Sequence, residues 1–381
     1  MTSHYLSFFP LGNADCCRID LAGGQQVLID YAAMRDADDK NDLRIDLPTV
    51  LREDLESRKR KHYDVVAFTH LDDDHIHGSS NFFYFEHAQK YQAKVDGRDR
   101  IRIGELWIPA AVITEEGCAE EDRIIRQEAR HRLKIGKGIR VFSRPDQLKK
   151  WLEGEGLSLD ARRSLIIDAG ELVPGWDAEE QGVEFFVHSP WASRIDDGSF
   201  IERNDGCLVL HATFSVDGTK TRVFFGADVR HEPLNEIIRI TRFRKREERL
   251  ESDIVKIPHH SSYLSLGPER GFSKTKPTDE IGYFYEKKLL WRATLISTSK
   301  PIPTNGDDDD QPPHREAASY YREQAAAQGG NYAVTMENPK TSSPETLVIE
   351  ISGSKAKQKK LYAAGLVTAV SQRAPRAGHG E

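Results

Sequence analysis

The residues best equipped for chemistry sit in one short window, His70-Leu71-Asp72-Asp73-Asp74-His75, where five of six side chains can bind a metal. Gly78 follows shortly after. Before the window runs Val65-Val66-Ala67-Phe68, apolar and without polar alternation, which predicts a short strand buried on both faces. Chain leaving the carboxyl end of such a strand lies where α/β folds place their ligands. In an extended exit segment His70, Asp72 and Asp74 point to one side and His75 to another. The spacing therefore predicts two ions, one offered His70 with Asp72 and the other Asp74 with His75. The plain alternative is a solvated acidic turn. Two flanking histidines, a strand before and a glycine after argue against it.

Two later segments end in the same way. Arg222-Val223-Phe224-Phe225-Gly226-Ala227-Asp228 is an apolar strand that gives out on a carboxylate. Asp228 is either a further ligand or the cap of a helix beginning at Val229. Ile254-Val255-Lys256-Ile257-Pro258-His259-His260-Ser261 places vicinal histidines after a buried strand and a proline. Neutral imidazole suits zinc and the middle transition metals. One of the pair is expected to bind a metal. His259 is the choice, with His260 orienting substrate or supporting the ligands.

The elements that must hold these residues alternate between strand and helix, which predicts an α/β fold. Tyr5–Phe9, Cys16–Leu21 and Gln26–Tyr31 read as an antiparallel meander, and Leu47–His62 as an amphipathic helix before the strand over 63–69. Residues 112–165 are highly charged and read as a helical insertion packed on the scaffold, which either covers the site or meets a partner protein. Strands return at Val183–Pro190, Cys207–His211, Arg222–Asp228, Ile254–Pro258 and Thr294–Ser299. A helix over 315–328 and a strand over 345–352 complete one domain, 1–352. Residues 353–381 read as a basic, loosely ordered tail.

With 381 residues and 38% hydrophobic content the chain can bury a sizeable core. No apolar run approaches the roughly 18–20 residues that cross a bilayer, and Met1–Tyr5 lacks the pattern of a signal peptide. Four cysteines form neither a CxxC pair nor a disulfide framework, so the expected setting is the cytoplasm, without membrane partners. A net charge of −7 argues against a broadly nucleic-acid-adhesive surface. Local basic runs, Arg58–Lys61 and Arg242–Arg246, leave room for a backbone contact.

The metal window resembles the HxHxDH signature of metallo-β-lactamase-fold hydrolases, with Asp72 in place of the second histidine. The rest is similar to the soluble nuclease-type domain of the ComEC DNA-uptake family. Gly12-Asn13-Ala14-Asp15 and Ile29-Asp30 match its "GxGDA" and "LIDxG" loosely. Asn204–Leu210 resembles "NxxSLVL", Gly226-Ala227-Asp228 its "GD", Lys256–Ser262 its "LKxPHHGS", and Asn305 with His314 its closing "N…HP". The resemblance implies an αββα sandwich and two divalent ions, zinc or manganese. Their ligands would be His70, Asp72, Asp74, His75, Asp228 and His259, with Asp228 bridging. Asp15 and Asp30 would stand behind the ligands, and His314 near the metals or the substrate phosphate. His188 is the one candidate for a mid-chain histidine ligand. With Asp74, Asp228, His260 and His314 as the catalytic groups, the implied activity is hydrolysis of a phosphodiester, DNA or RNA first. The carboxylate at position 72 moves preference from zinc toward manganese. A small substrate (lactone, thioester, cyclic nucleotide or phosphoester) is the alternative, and a partner-binding protein without turnover the third.

Overall fold

The protein is described by a computed structural model covering residues 3–88, 91–118, 120–192, 203–304 and 310–359. Asn305, Asp307–Asp309 and the tail beyond Lys359 lie outside the described residues.

Two mixed sheets carry the chain. The larger has nine strands. From one edge they are Lys355–Lys359, Leu347–Ser352, His4–Phe8, Cys17–Asp20, Gln26–Ile29, His62–Ala67, Arg102–Pro109, Ile139–Phe142 and Ile166–Ile167. From Gln26–Ile29 onward neighbours are parallel. The second sheet has six strands, Val183–Ser189, Val209–Val216, Thr219–Phe225, Ser252–Lys256, Leu289–Ser297 and Asn331–Val334. It opens antiparallel and becomes parallel from Thr219–Phe225 onward.

Side-chain alternation assembles the layers. In the His62–Ala67 strand Val65 and Ala67 join a central cluster with Phe8, Phe185, Leu210, Phe225 and Ile254, residues of both sheets. Val66 and the following Phe68 face the other way, onto Leu51, Leu55, Ile125 and Leu133. On the far side of the second sheet Phe224 and Val255 meet Leu234, Ile238, Phe284 and Tyr321. Successive strand residues therefore reach two different cores, as the period of two requires. The result is helices, sheet, sheet, helices.

The helices obey the same logic. Leu47–Ser57 buries Leu47, Leu51 and Leu55 at a spacing of four and is capped by the Asp46 carboxylate on Thr49 N (3.2 Å). The charged helix Glu120–Ile135 docks a polar stripe as well. Glu128 and Arg132 pair at 2.7 Å, and Arg132 donates to the carbonyls of Ile103, Gly104 and Gly138. Residues 112–165 are thus more than helical: Ile139–Phe142 adds a strand to the larger sheet between helices Glu120–Ile135 and Asp146–Gly154. Lys355–Lys359, in the segment read as a tail, pairs with Leu347–Ser352. Among the described residues no helix is long and apolar enough to cross a membrane.

Candidate metal centre

Parallel strands of both sheets deliver their carboxyl ends to one rim. His62–Ala67 leads to His70–His75, Thr219–Phe225 to Asp228, and Ser252–Lys256 to His259 and His260. The first exit is extended only through Asp72 (φ −72°, ψ 149°); residues Asp73–Ile76 then form a single helical turn, which presents Asp74 and His75. Segments far apart in sequence so converge on a point. Asp74, His75, Asp228 and His260 each offer a ligand atom, all within 4.8 Å of one another.

Asp228 holds the middle. Its Oδ1 lies 3.3 Å from His75 Nε2 and its Oδ2 3.2 Å from His260 Nε2. Asp74 Oδ2 reaches the same His260 nitrogen at 3.1 Å. His70 packs against His75 with ring centres 4.0 Å apart and planes tilted by 50°, and its Nε2 lies 3.5 Å from Asp72 Oδ2.

Each imidazole is aimed from behind. His260 Nδ1–H donates to the Thr298 carbonyl (2.7 Å) and His75 Nδ1–H to Asp30 Oδ2 (2.8 Å). The Thr69 hydroxyl donates to that same Asp30 oxygen (2.7 Å), so toward His70 Nδ1 (3.1 Å) it can only accept. In all three rings Nδ1–H is engaged behind and Nε2 faces the rim, open to a proton or a metal ion. Fixing the outer nitrogen this way is how proteins orient metal-binding histidines. Asp30 is itself held by Thr69 N (2.7 Å), in a backbone conformation with φ 59°.

The electrostatics agree. Burial pushes the Asp74 carboxyl up, but the His260 hydrogen bond and His75 outweigh it and bring it to about 2. Burial would likewise raise Asp228, yet His260 and His75 hold it well below the usual range. His260, against burial, is lifted to about 10 by Asp228 and Asp74, and His75 is lifted well above its ordinary value by Asp228 and Asp30. The carboxylates call for a cation at this point, whether a proton on Nε2 or a metal ion. His70 Nε2, His75 Nε2 and Asp228 Oδ1 are buried without a hydrogen-bond partner. Buried polar atoms seldom go unpaired. Nitrogen and carboxylate donors left open in a common direction fit a divalent transition metal.

The remaining expected residues sit around this group. His259 is half-buried, with its ring centre 6.3 Å from that of His260, and it is outside the four converging ligands. His314 caps the helix Arg315–Ala327; its Nδ1 accepts from Tyr263 N (3.3 Å), which leaves the proton on a buried, unpartnered Nε2. That makes His314 a donor rather than a ligand. Burial and Arg270 lower its pKa, so it is neutral near pH 7. His188 lies elsewhere: its Nε2 donates to the Arg249 carbonyl (2.9 Å) and its ring packs on Phe224. Asp15 lies behind the ligands, its backbone N donating to the Asp74 carbonyl (2.9 Å).

Three participants carry no obvious signal in the sequence. Thr69 is the hinge of the Asp30 network. Arg203 ties the metal loop to the charged helix, meeting the Leu71 carbonyl, Asp72 (3.4 Å), Glu115 (2.6 Å) and Asp122 (2.5 Å). Lys256 is buried, and its Nζ reaches Asp15, the Ala227 carbonyl (3.0 Å) and Asp228 Oδ1 (3.6 Å). A lysine in a strand ordinarily reads as an exposed side chain, and although Lys256 falls in the segment compared with "LKxPHHGS", its type alone assigns it no partner.

No protein-family model matches the chain, and no curated protein matches it.

Proposed function

We propose that the protein is a metal-dependent hydrolase of phosphodiesters, a nuclease acting on DNA or RNA in the first instance, built on a metallo-β-lactamase-type αββα sandwich of the ComEC kind. The observation that carries this reading is the Asp228 carboxylate, which turns one oxygen to His75 and the other to His260. A buried carboxylate set between two imidazoles is suited to hold a divalent cation with them.

Asp74, His75, Asp228 and His260 would hold one ion, and His70 with Asp72 would offer donors to a second. Bound there, the ions would supply an activated water and Lewis-acid stabilisation of the scissile phosphate oxygens. The protein's own part is orientation. Asp30, Thr69 and the Thr298 carbonyl keep three imidazoles turned inward before any substrate arrives, a cost met during folding rather than during turnover. His314 offers an Nε2–H to a phosphate oxygen. Arg203, already engaged by Glu115 and Asp122, holds the loop in place rather than offering its charge to the substrate.

A second reading, hydrolysis of a small substrate, is favoured by how the basic runs are used. Arg58 pairs with Asp54 (3.0 Å), Arg60 with Asp64, and Arg242 with Glu280 (2.7 Å). These pairs take up part of the charge available to a nucleic-acid backbone, while Lys59, Lys61, Arg244 and Lys245 stay exposed. A turnover assay with manganese, zinc or EDTA separates the readings, comparing wild type with Asp74→Ala on DNA, RNA, bis-p-nitrophenyl phosphate and a lactone panel. Metal-dependent cutting of nucleic acid, lost in Asp74→Ala, is expected. Activity on the lactones alone would favour the small-substrate reading. Absence of bound metal and of all turnover would leave neither.

A further inference from the structure

Behind the rim lies a second group with the composition of a metal site. Asp15, Asp30 and His75 also offer ligand atoms within 4.8 Å of one another, and all three are buried. By composition alone this inner group would take an ion of its own. The geometry points to a different occupant: we propose that the Lys256 ammonium is the resident cation of the inner group, and that it confines metal to the face made by Asp74, His75, Asp228 and His260. The second half of this statement rests on the metal-centre reading; the first does not.

Most of the inner donors are already engaged. Both Asp30 oxygens are engaged, Oδ1 by Thr69 N and Oδ2 by the Thr69 hydroxyl and His75 Nδ1. One Asp15 oxygen faces Lys256 Nζ, while the other is buried and unpartnered. The ammonium also donates to the carbonyl of Ala227, which has φ 46°, and lies 3.6 Å from Asp228 Oδ1. Lys256 therefore ties three chain segments together: the Asp15 turn, which bonds the Asp74 backbone, the Ala227–Asp228 turn, and its own strand leading to His260. A small cavity beside it, about 20 Å³, is lined by Asp15, Asp30, Thr69, Ala227 and Lys256. That is room for about one water-sized occupant. Without the ammonium, buried carboxylates would face one another uncompensated, and a divalent ion would be the species best able to replace it.

The test compares wild type, Lys256→Met, Asp15→Asn and the double variant, reading thermal stability in EDTA and bound manganese or zinc per chain. Methionine keeps the length of the side chain and removes the charge. In EDTA, Lys256→Met is expected to melt roughly 5–10 °C below wild type, as when one partner of a buried pair is removed. Adding Asp15→Asn should return most of that loss, since the uncompensated charge goes with it. With metal present, Lys256→Met should bind one ion more per chain than wild type and regain its melting temperature, and the double variant should not bind the extra ion. Should Lys256→Met fail to fold, folding of the double variant would support the proposal. Equal melting of Lys256→Met and wild type in EDTA, or a double variant no more stable than Lys256→Met, would overturn it. The EDTA comparison decides the role of Lys256 even if wild type binds no metal, an outcome that would count against the metal centre alone.

Discussion

Two groups of buried histidines lie in this fold, and they have opposite characters. At the rim, His75 and His260 face carboxylates, and their pKa values are driven up against burial by Asp228, Asp30 and Asp74. On the helix-covered side of the second sheet, His188 and His211 have ring centres 6.2 Å apart and donate only to the Arg249 and Glu251 carbonyls, each at 2.9 Å. Burial is uncompensated there and lowers them to about 4 and about 3. Buried imidazole is therefore no mark of a site. What distinguishes the rim is that each inward Nε2 faces a carboxylate that stays ionised and so favours a cation there, proton or metal ion. Neutral His188 and His211 fill space and satisfy two carbonyls.

The largest effect that would sharpen this contrast is at Asp228. Asp228→Asn should lower kcat/KM by about 10²–10³-fold or more, the scale seen when one preorganised charge-stabilising group is removed, and should reduce bound metal. Near-normal turnover and metal content would break the contrast. Asp30→Asn comes next. It keeps the shape but weakens the aim of His75 and His70, so metal affinity should fall by about 10–100-fold, as for other groups that orient ligands. Titration calorimetry would read it.

Proton release is a smaller signal. With His260 lifted to about 10 in the metal-free protein, binding a metal at pH 8 must displace its proton. Calorimetry in buffers of different ionisation enthalpy should report at least about one proton released per chain; none released would place the ion away from His260. Smallest is His188→Gln. Its histidine has a folded-state pKa below the unfolded value, so its contribution to stability is present above about pH 6.5 and is lost as pH falls toward 4. The slope is about 1.4 kcal/mol per pH unit over that window. The variant should lose less stability than wild type between those pH values, by urea denaturation, and should keep its metal. Metal loss in His188→Gln would erase the distinction between the two groups.

The His70–His75 loop was legible in the sequence because five ligand-type residues fall within six positions and follow an unbroken apolar strand. The strand ends at Asp228 and His260 were legible for the same reason, as the parallel half of each sheet is buried on both faces. What a sequence pattern does not resolve is direction. His259, His260 and Ser261 are three consecutive non-glycine residues with positive φ (49°, 52° and 63°). That coil, rather than residue type, turns His260 toward Asp228. The extended exit expected through Asp74 is instead a helical turn from Asp73, which short-range alternation cannot anticipate. Ile139–Phe142 was hidden because four strand residues lie between two charged helices whose periodicity dominates the region. Thr69, Arg203 and Lys256 act through partners more than 30 residues away in sequence, and their types alone say nothing of that.

The central claim is that lone pairs at the rim converge on a metal while the buried histidines of the second sheet do not. Anomalous diffraction from crystals grown with manganese or zinc tests it most directly. The account predicts density about 2.0–2.2 Å from His75 Nε2, His260 Nε2 and an Asp228 oxygen, with a second peak beside His70 and none near His188 or His211. Density at His188 or His211, or an empty rim in crystals soaked with either metal, would contradict it.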